Sequence, residues 1–226
     1  KEFNISHDDF DLKYNFDSFN DFFIRPFKKG RRNFVKGNNL PAFAEGRYLG
    51  WESVNSQNKY PIKGIQITLS ELLNSDILAE EFCDGPLMIA RLCPVDYHRF
   101  HFPDSGKIDY SYTVSGLLDS VNPIALKNKD KIFLKNQRTV TVFESEHFGK
   151  LLLIDVGATC VGKIVQSYTS NTVQRGDEKG YFLFGGSTVI ICGKKGAWIP
   201  SSDILENTQA QREVFVKLGD AIGKSL

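Results

Sequence analysis

Two short segments hold the residues best suited to moving protons and breaking bonds. The first, Cys93-Pro94-Val95-Asp96-Tyr97-His98-Arg99-Phe100-His101, gathers an acid, a phenol, a guanidinium and two of the chain's four histidines. Imidazole titrates near neutral pH, so this grouping suits general acid–base work. In an extended chain His98 and His101 point to opposite faces, whereas in a turn or helix they share one. A metal centre needs a third ligand, which His147 could offer, but the spacing is not diagnostic and no metal is expected. The second segment is Phe184-Gly185-Gly186-Ser187-Thr188-Val189. Gly-Gly commonly joins two strands, so its plain reading is a tight turn; a chemical role for Ser187 needs more context than these residues give.

Strands must carry most of these groups. Runs such as Leu87-Met88-Ile89-Ala90-Arg91-Leu92, Thr139-Val140-Thr141-Val142-Phe143, Leu151-Leu152-Leu153-Ile154-Asp155-Val156, Val161-Gly162-Lys163-Ile164-Val165, Tyr181-Phe182-Leu183-Phe184 and Thr188-Val189-Ile190-Ile191-Cys192 are rich in β-branched and aromatic residues and bounded by Gly, Asp, Asn and Pro. Their spacing predicts an α+β protein with a β-rich, sandwich- or barrel-like core and peripheral helices. Helices are expected at 16–23, where a Ser or Asp cap precedes a face of phenylalanines, at 69–73, and from about 206 to 221. No repeat or low-complexity linker divides residues 1–226, which read as a single domain.

The composition narrows the classes. The chain has 226 residues, 41% hydrophobic and 24% charged, enough for a substantial core. A net charge of +1 gives no global pull toward nucleic acid. Cys83, Cys93, Cys160 and Cys192 form no CxxC pair and read as free thiols in a reducing compartment, cytoplasmic or peripheral on a membrane. No apolar run approaches the ~20 residues of a spanning helix. The chain opens at Lys1 with no signal peptide and no methionine, which leaves room for an upstream segment and a membrane anchor with it. The basic run Lys28-Lys29-Gly30-Arg31-Arg32 reads as a solvated surface, with anionic lipid headgroups as the functional alternative.

Taken in order, several segments resemble the phosphatidylserine decarboxylase family. They are Phe19-Asn20-Asp21-Phe22-Phe23-Ile24-Arg25; Tyr60-Pro61-Ile62-Lys63-Gly64 with Leu69, Leu72 and Leu73; Asp96-Tyr97-His98-Arg99 with His101; Glu144, Glu146, Phe148 and Gly149; Asp155-Val156-Gly157-Ala158 with Gly162; and Gly176, Glu178, Gly180 and Phe182 leading into Gly185-Gly186-Ser187-Thr188-Val189. Each piece is weak alone, and their joint order is specific. The Gly-Gly-Ser-Thr form is closest to a bacterial branch.

The resemblance implies a self-processing enzyme. Ser187 would attack the Gly186 carbonyl with His98 as base, and the chain would break between Gly186 and Ser187 into a β chain, 1–186, and an α chain, 187–226. Ser187 would become a pyruvoyl group that takes the place of pyridoxal phosphate, forms a Schiff base with the substrate amine and accepts electrons as CO2 leaves. His101 or His98 would reprotonate the α-carbon, and Phe100 and Phe102 would either line the substrate's approach or fill the core. The expected substrate is phosphatidylserine, with peripheral membrane contact and a homodimer. A small soluble amino acid such as tryptophan, or a homologue that never matures, are the alternatives. One residue departs from the pattern: the family's triad acid is usually Asp before a Gly and a strand, and here that seat holds Glu45 in Ala44-Glu45-Gly46. The longer side chain shifts the carboxylate by about one bond, a displacement that can cost ~100-fold in rate. Asp96, two residues before His98, competes for the role but reads better as a local hydrogen-bonding residue.

Overall fold

A computed structural model describes residues 7–11, 16–55, 58–62, 65–115, 136–157, 163–183 and 187–226. Cys160, Phe184, Gly185 and Gly186 lie outside these. The central element is an eight-stranded antiparallel sheet in the order β11-β7-β8-β9-β13-β5-β2-β15. In chain order its strands are β2 (Gly46–Trp51), β5 (Leu87–Leu92), β7 (Gly106–Val114), β8 (Arg138–Ser145), β9 (Gly149–Val156), β11 (Thr172–Val173), β13 (Ser187–Gly193) and β15 (Val214–Val216).

Both faces of the sheet are covered, which is why its inner strands read as continuous apolar runs. On one face Ile89, Ile154, Ile190 and Cys192 pack with Leu69, Leu72 and Leu73 of α2 (Leu69–Leu73) and Leu78 and Ala79 of α3 (Asp76–Glu81). Thr68 caps α2, its side chain accepting from Glu71 N–H while the Glu71 carboxylate accepts from Thr68 N–H, a reciprocal capping box. On the other face Ala90, Leu92, Leu153, Val189 and Ile191 meet Phe100, Ile164, Phe182 and Trp198 of two smaller antiparallel sheets. One is β10-β12-β6 (β6, Arg99–His101; β10, Ile164–Gln166; β12, Glu178–Phe182); the other is β1-β16-β14 (β1, Asn39–Pro41; β14, Trp198–Pro200; β16, Ala221–Ser225). A two-stranded pair, β3 (Tyr60–Ile62) and β4 (Ile65–Ile67), completes the sheets among the described residues. The β-rich α+β architecture is as the sequence predicts.

The helices differ in detail. The N-terminal helix is shorter than expected, α1 (Phe19–Phe23), because Ser18 accepts from Asp21 N–H and starts it there. The helix expected from 206 to 221 is α4 (Ser202–Gln209) instead. Past it Gln211 turns to φ +56°, and Val214, Phe215 and Val216 pair with Tyr48, Arg47 and Gly46. Tertiary pairing of a β-branched run overrides the helical period there.

Candidate active site

Two crossings between sheets build the site. β5 leaves the large sheet at Leu92, turns through 93–96 and enters the small sheet as β6; β12 leaves the small sheet at Phe182 and returns to the large one as β13. The ends of these strands lie together. Ser187 pairs with Leu92, and Phe182 N–H donates to the His98 carbonyl at 3.0 Å. His98 is thereby fixed to the strand that ends just before the Gly-Gly, and Ser187 is the first residue beyond it. Gly180 keeps the small sheet tight: a Cβ there would lie 2.2 Å from the Val165 carbonyl oxygen and 2.9 Å from the Phe100 ring.

His98 Nδ1 lies 3.3 Å from Ser187 Oγ, and Nε2 lies 2.9 Å from the Cys93 carbonyl oxygen. A carbonyl can only accept, so Nε2 carries the hydrogen, and in the uncharged form of the ring Nδ1 is the nitrogen able to accept from the serine. His98 is 0% exposed and Ser187 2%. Phe23 of α1 stacks on the imidazole with centroids 3.7 Å apart. α1 is held over the site by Arg25, whose guanidinium donates to Val95 O at 3.1 Å, and by Arg99, which donates to Ile24 O at 2.7 Å. Burial lowers the Arg25 pKa, opposed by the charges of Asp96, Glu45 and Tyr97.

The other sequence-derived candidates sit around this pair. His101 is on β6, its Nδ1 2.9 Å from Gly176 O and its Nε2 3.3 Å from the Tyr97 hydroxyl; burial pushes its pKa below 6.5. The carboxylate of Glu45 receives both Arg32 Nε and Nη2, the latter at 2.8 Å, and Leu218 N–H at 3.0 Å, while the His98 nitrogens face Cys93 and Ser187. Asp96 takes Cys93 N–H at 2.7 Å and Arg47 Nη1 at 2.9 Å. Phe100 and Phe102 are wholly buried, against Phe182 in one case and Phe143 and Tyr168 in the other, so packing supports the core alternative for both. His147 pairs with Asp104, not with the two other histidines.

Sequence reasoning overlooked one group. Lys179 of β12 and Asp155 of β9 form an ion pair, 1% and 0% exposed, with Gln166 donating to Asp155 at 2.9 Å and accepting from Lys179 at 3.0 Å. Asp155 pairs with Val189, so it stands diagonal to Ser187 on the same face, about 7–8 Å away by strand geometry. The sequence held half of the signal: Asp155 follows the apolar run Leu151-Leu152-Leu153-Ile154, and a charge buried there needs a partner.

The profile of the family described as phosphatidylserine decarboxylase matches residues 19–224. The chain belongs to the phosphatidylserine decarboxylase family. A phosphatidylserine decarboxylase proenzyme of Clostridium novyi (strain NT) is 46% identical over 228 residues, covering 100% of this chain and 77% of that one. Proteins of the same name from Clostridium botulinum (strain Hall) and Clostridium tetani (strain Massachusetts) are 44% and 45% identical, each covering 92% of this chain and 72% and 71% of their own length. In this member of the phosphatidylserine decarboxylase family, the His98 imidazole lies against the serine of Gly-Gly-Ser-Thr.

Proposed function

We propose that the chain is a self-processing, pyruvoyl-dependent carboxy-lyase that converts phosphatidylserine to phosphatidylethanolamine and CO2. The contact of His98 Nδ1 with Ser187 Oγ carries the reading. In processing, His98 Nδ1 takes the hydroxyl proton as Ser187 Oγ attacks the Gly186 carbonyl carbon. The C–N bond breaks, the freed nitrogen takes a proton, and an ester replaces the amide. Loss of the Cα proton of residue 187 then expels the Gly186 carboxylate and leaves dehydroalanine. Its imine tautomer reacts with water, releases ammonia and leaves a ketone.

The residues fit such a group. Its precursor is buried at the start of a central strand with an imidazole on its oxygen and Leu92 beside it. A pyruvoyl at position 187 supplies an electrophilic ketone for the substrate amine and, through its amide carbonyl, an electron sink when CO2 leaves. His98 Nδ1 is then the group that holds a proton for delivery to the substrate carbon. His101, neutral and fixed between Gly176 O and Tyr97, supports the β6 segment from behind. Glu45, tied to Arg32 and Leu218, anchors the chain entering β2 and the segment ahead of β16. No helix of the described residues is long and apolar enough to cross a membrane. A lipid headgroup would reach Ser187 from a membrane surface, past α1, whose Phe19 is 60% exposed.

The test is release of labelled CO2 from carboxyl-labelled phosphatidylserine in mixed micelles, with free tryptophan in parallel. Release from the lipid alone, abolished in Ser187→Ala, is the expected result. Release from tryptophan alone would point to the soluble-substrate alternative, and release from neither would overturn the assignment.

A further inference from the structure

We infer that the bare oxygen of Asp155 is the seat of the substrate's amino group. The inference rests on the reading of residue 187 as the pyruvoyl that receives that amine. The Asp155 carboxylate uses one of its oxygens twice. Oδ2 accepts from Lys179 Nζ and, at 2.9 Å, from Gln166 Nε2. Oδ1 is buried and, among the described residues, has no hydrogen-bond partner. A carboxylate oxygen shut away from water without a donor is costly, and it calls for one. Lys179 is already engaged: its Nζ donates to Oδ2 and to Gln166 Oε1 at 3.0 Å, and it lies 5.4 Å from the centre of the Phe100 ring. The carboxylate is thus pinned between the sheets, from β9 to β12 and β10, with one oxygen taken and the other left over.

The strand register says what the missing donor is. Asp155 stands opposite Val189, and Ser187 is two residues back on the same face. Diagonal neighbours of this kind lie within reach of side chains, and a nitrogen brought to residue 187 narrows the gap. On β5 the partner of Ser187 is the apolar Leu92, while His98 is engaged with the serine oxygen. A carboxylate only accepts, so the group it awaits carries an N–H or O–H. The substrate group that must come to residue 187 is a primary amine, whose cationic form makes the strong, charge-assisted kind of hydrogen bond to a carboxylate. The same negative charge repels the substrate's own carboxylate, so the seat also orients the headgroup.

The test compares the full processed protein with its Asp155→Leu, Lys179→Met double variant, which removes both charges together and keeps apolar volume in their place. Intact mass should show both proteins cleaved. Phenylhydrazine, uncharged at neutral pH, should label the ketone of both at equal rates. Phosphatidylethanolamine in mixed micelles with cyanoborohydride then reads the seat. Its amine and the ketone lose water, hydride reduces the resulting C=N bond, and the lipid's mass is added to the α chain. This capture should be at least about tenfold slower in the variant, the scale of one charged hydrogen bond, and KM for phosphatidylserine should rise by a similar factor. Equal capture by the two proteins would overturn the proposal. Should the double variant not cleave, Asp155→Asn, of the same shape, decides in the same assay: capture as fast as in the unaltered protein would overturn it. If phenylhydrazine labels neither protein, the pyruvoyl reading fails and takes this inference with it; normal labelling with equal capture defeats this inference alone.

Discussion

At the scale of single residues the proposed chemistry depends on the 3.3 Å between Ser187 Oγ and His98 Nδ1. On the proposed mechanism Ser187→Ala removes nucleophile and cofactor precursor together, so it should leave one uncleaved chain with no decarboxylase activity, read on a denaturing gel and in the CO2 assay. Phe23→Ala strips the ring that covers His98. Phe23 is fully buried, so the loss should cost about 3–5 kcal/mol in urea unfolding, with Phe23→Leu recovering part of it. His101 gives the molecule a pH dependence with a defined sign. Burial depresses its pKa below 6.5, so on acidification the unfolded chain takes up a proton before the folded one does. Stability should therefore fall as pH drops through about 6.5, by up to about 1.4 kcal/mol per pH unit, and replacing His101 with Asn should flatten that segment of the profile. Ser187, His98 and the local role of Asp96 were legible in the residues and their order. The seat of Glu45 was legible but not its partner, because Arg32 comes from a basic run that reads as plain surface.

At the scale of elements, strands were far easier to read than helices. β5 and β9 carry the apolar runs Leu87-Met88-Ile89-Ala90 and Leu151-Leu152-Leu153-Ile154 because both faces of the sheet are covered, and such runs can be read without knowledge of the fold. The 206–221 segment misled because Val214, Phe215 and Val216 satisfy a loose helical period while their β-branched character and the edge of β2 favour a strand. The pairing of β12 with β9 through Lys179 and Asp155 needed three dimensions. Removing one partner of that pair leaves a buried charge, so Lys179→Met in the Ser187→Ala background should cost about 3–5 kcal/mol in urea unfolding. Asp155→Leu combined with Lys179→Met should regain much of it. Equal losses in the single and double variants would show that the pair's value lies elsewhere.

At the scale of the whole molecule, cleavage need not separate the products. The α chain would begin with β13, which lies between β5 and β9, and would end with β15 on β2 and β16 on β1. All of those partner strands belong to the β chain. The two fragments should therefore co-elute on size exclusion under native conditions and part only in denaturant. The proposed break falls after the end of β12 and at the start of β13, so neither sheet would lose a strand by it. The most direct measurement is intact-mass spectrometry of the purified, denatured protein. The account predicts that the 25.5 kDa chain gives way to fragments 1–186 and 187–226, the smaller bearing a ketone in place of its amino terminus. A single unbroken chain that persists on long incubation would contradict it.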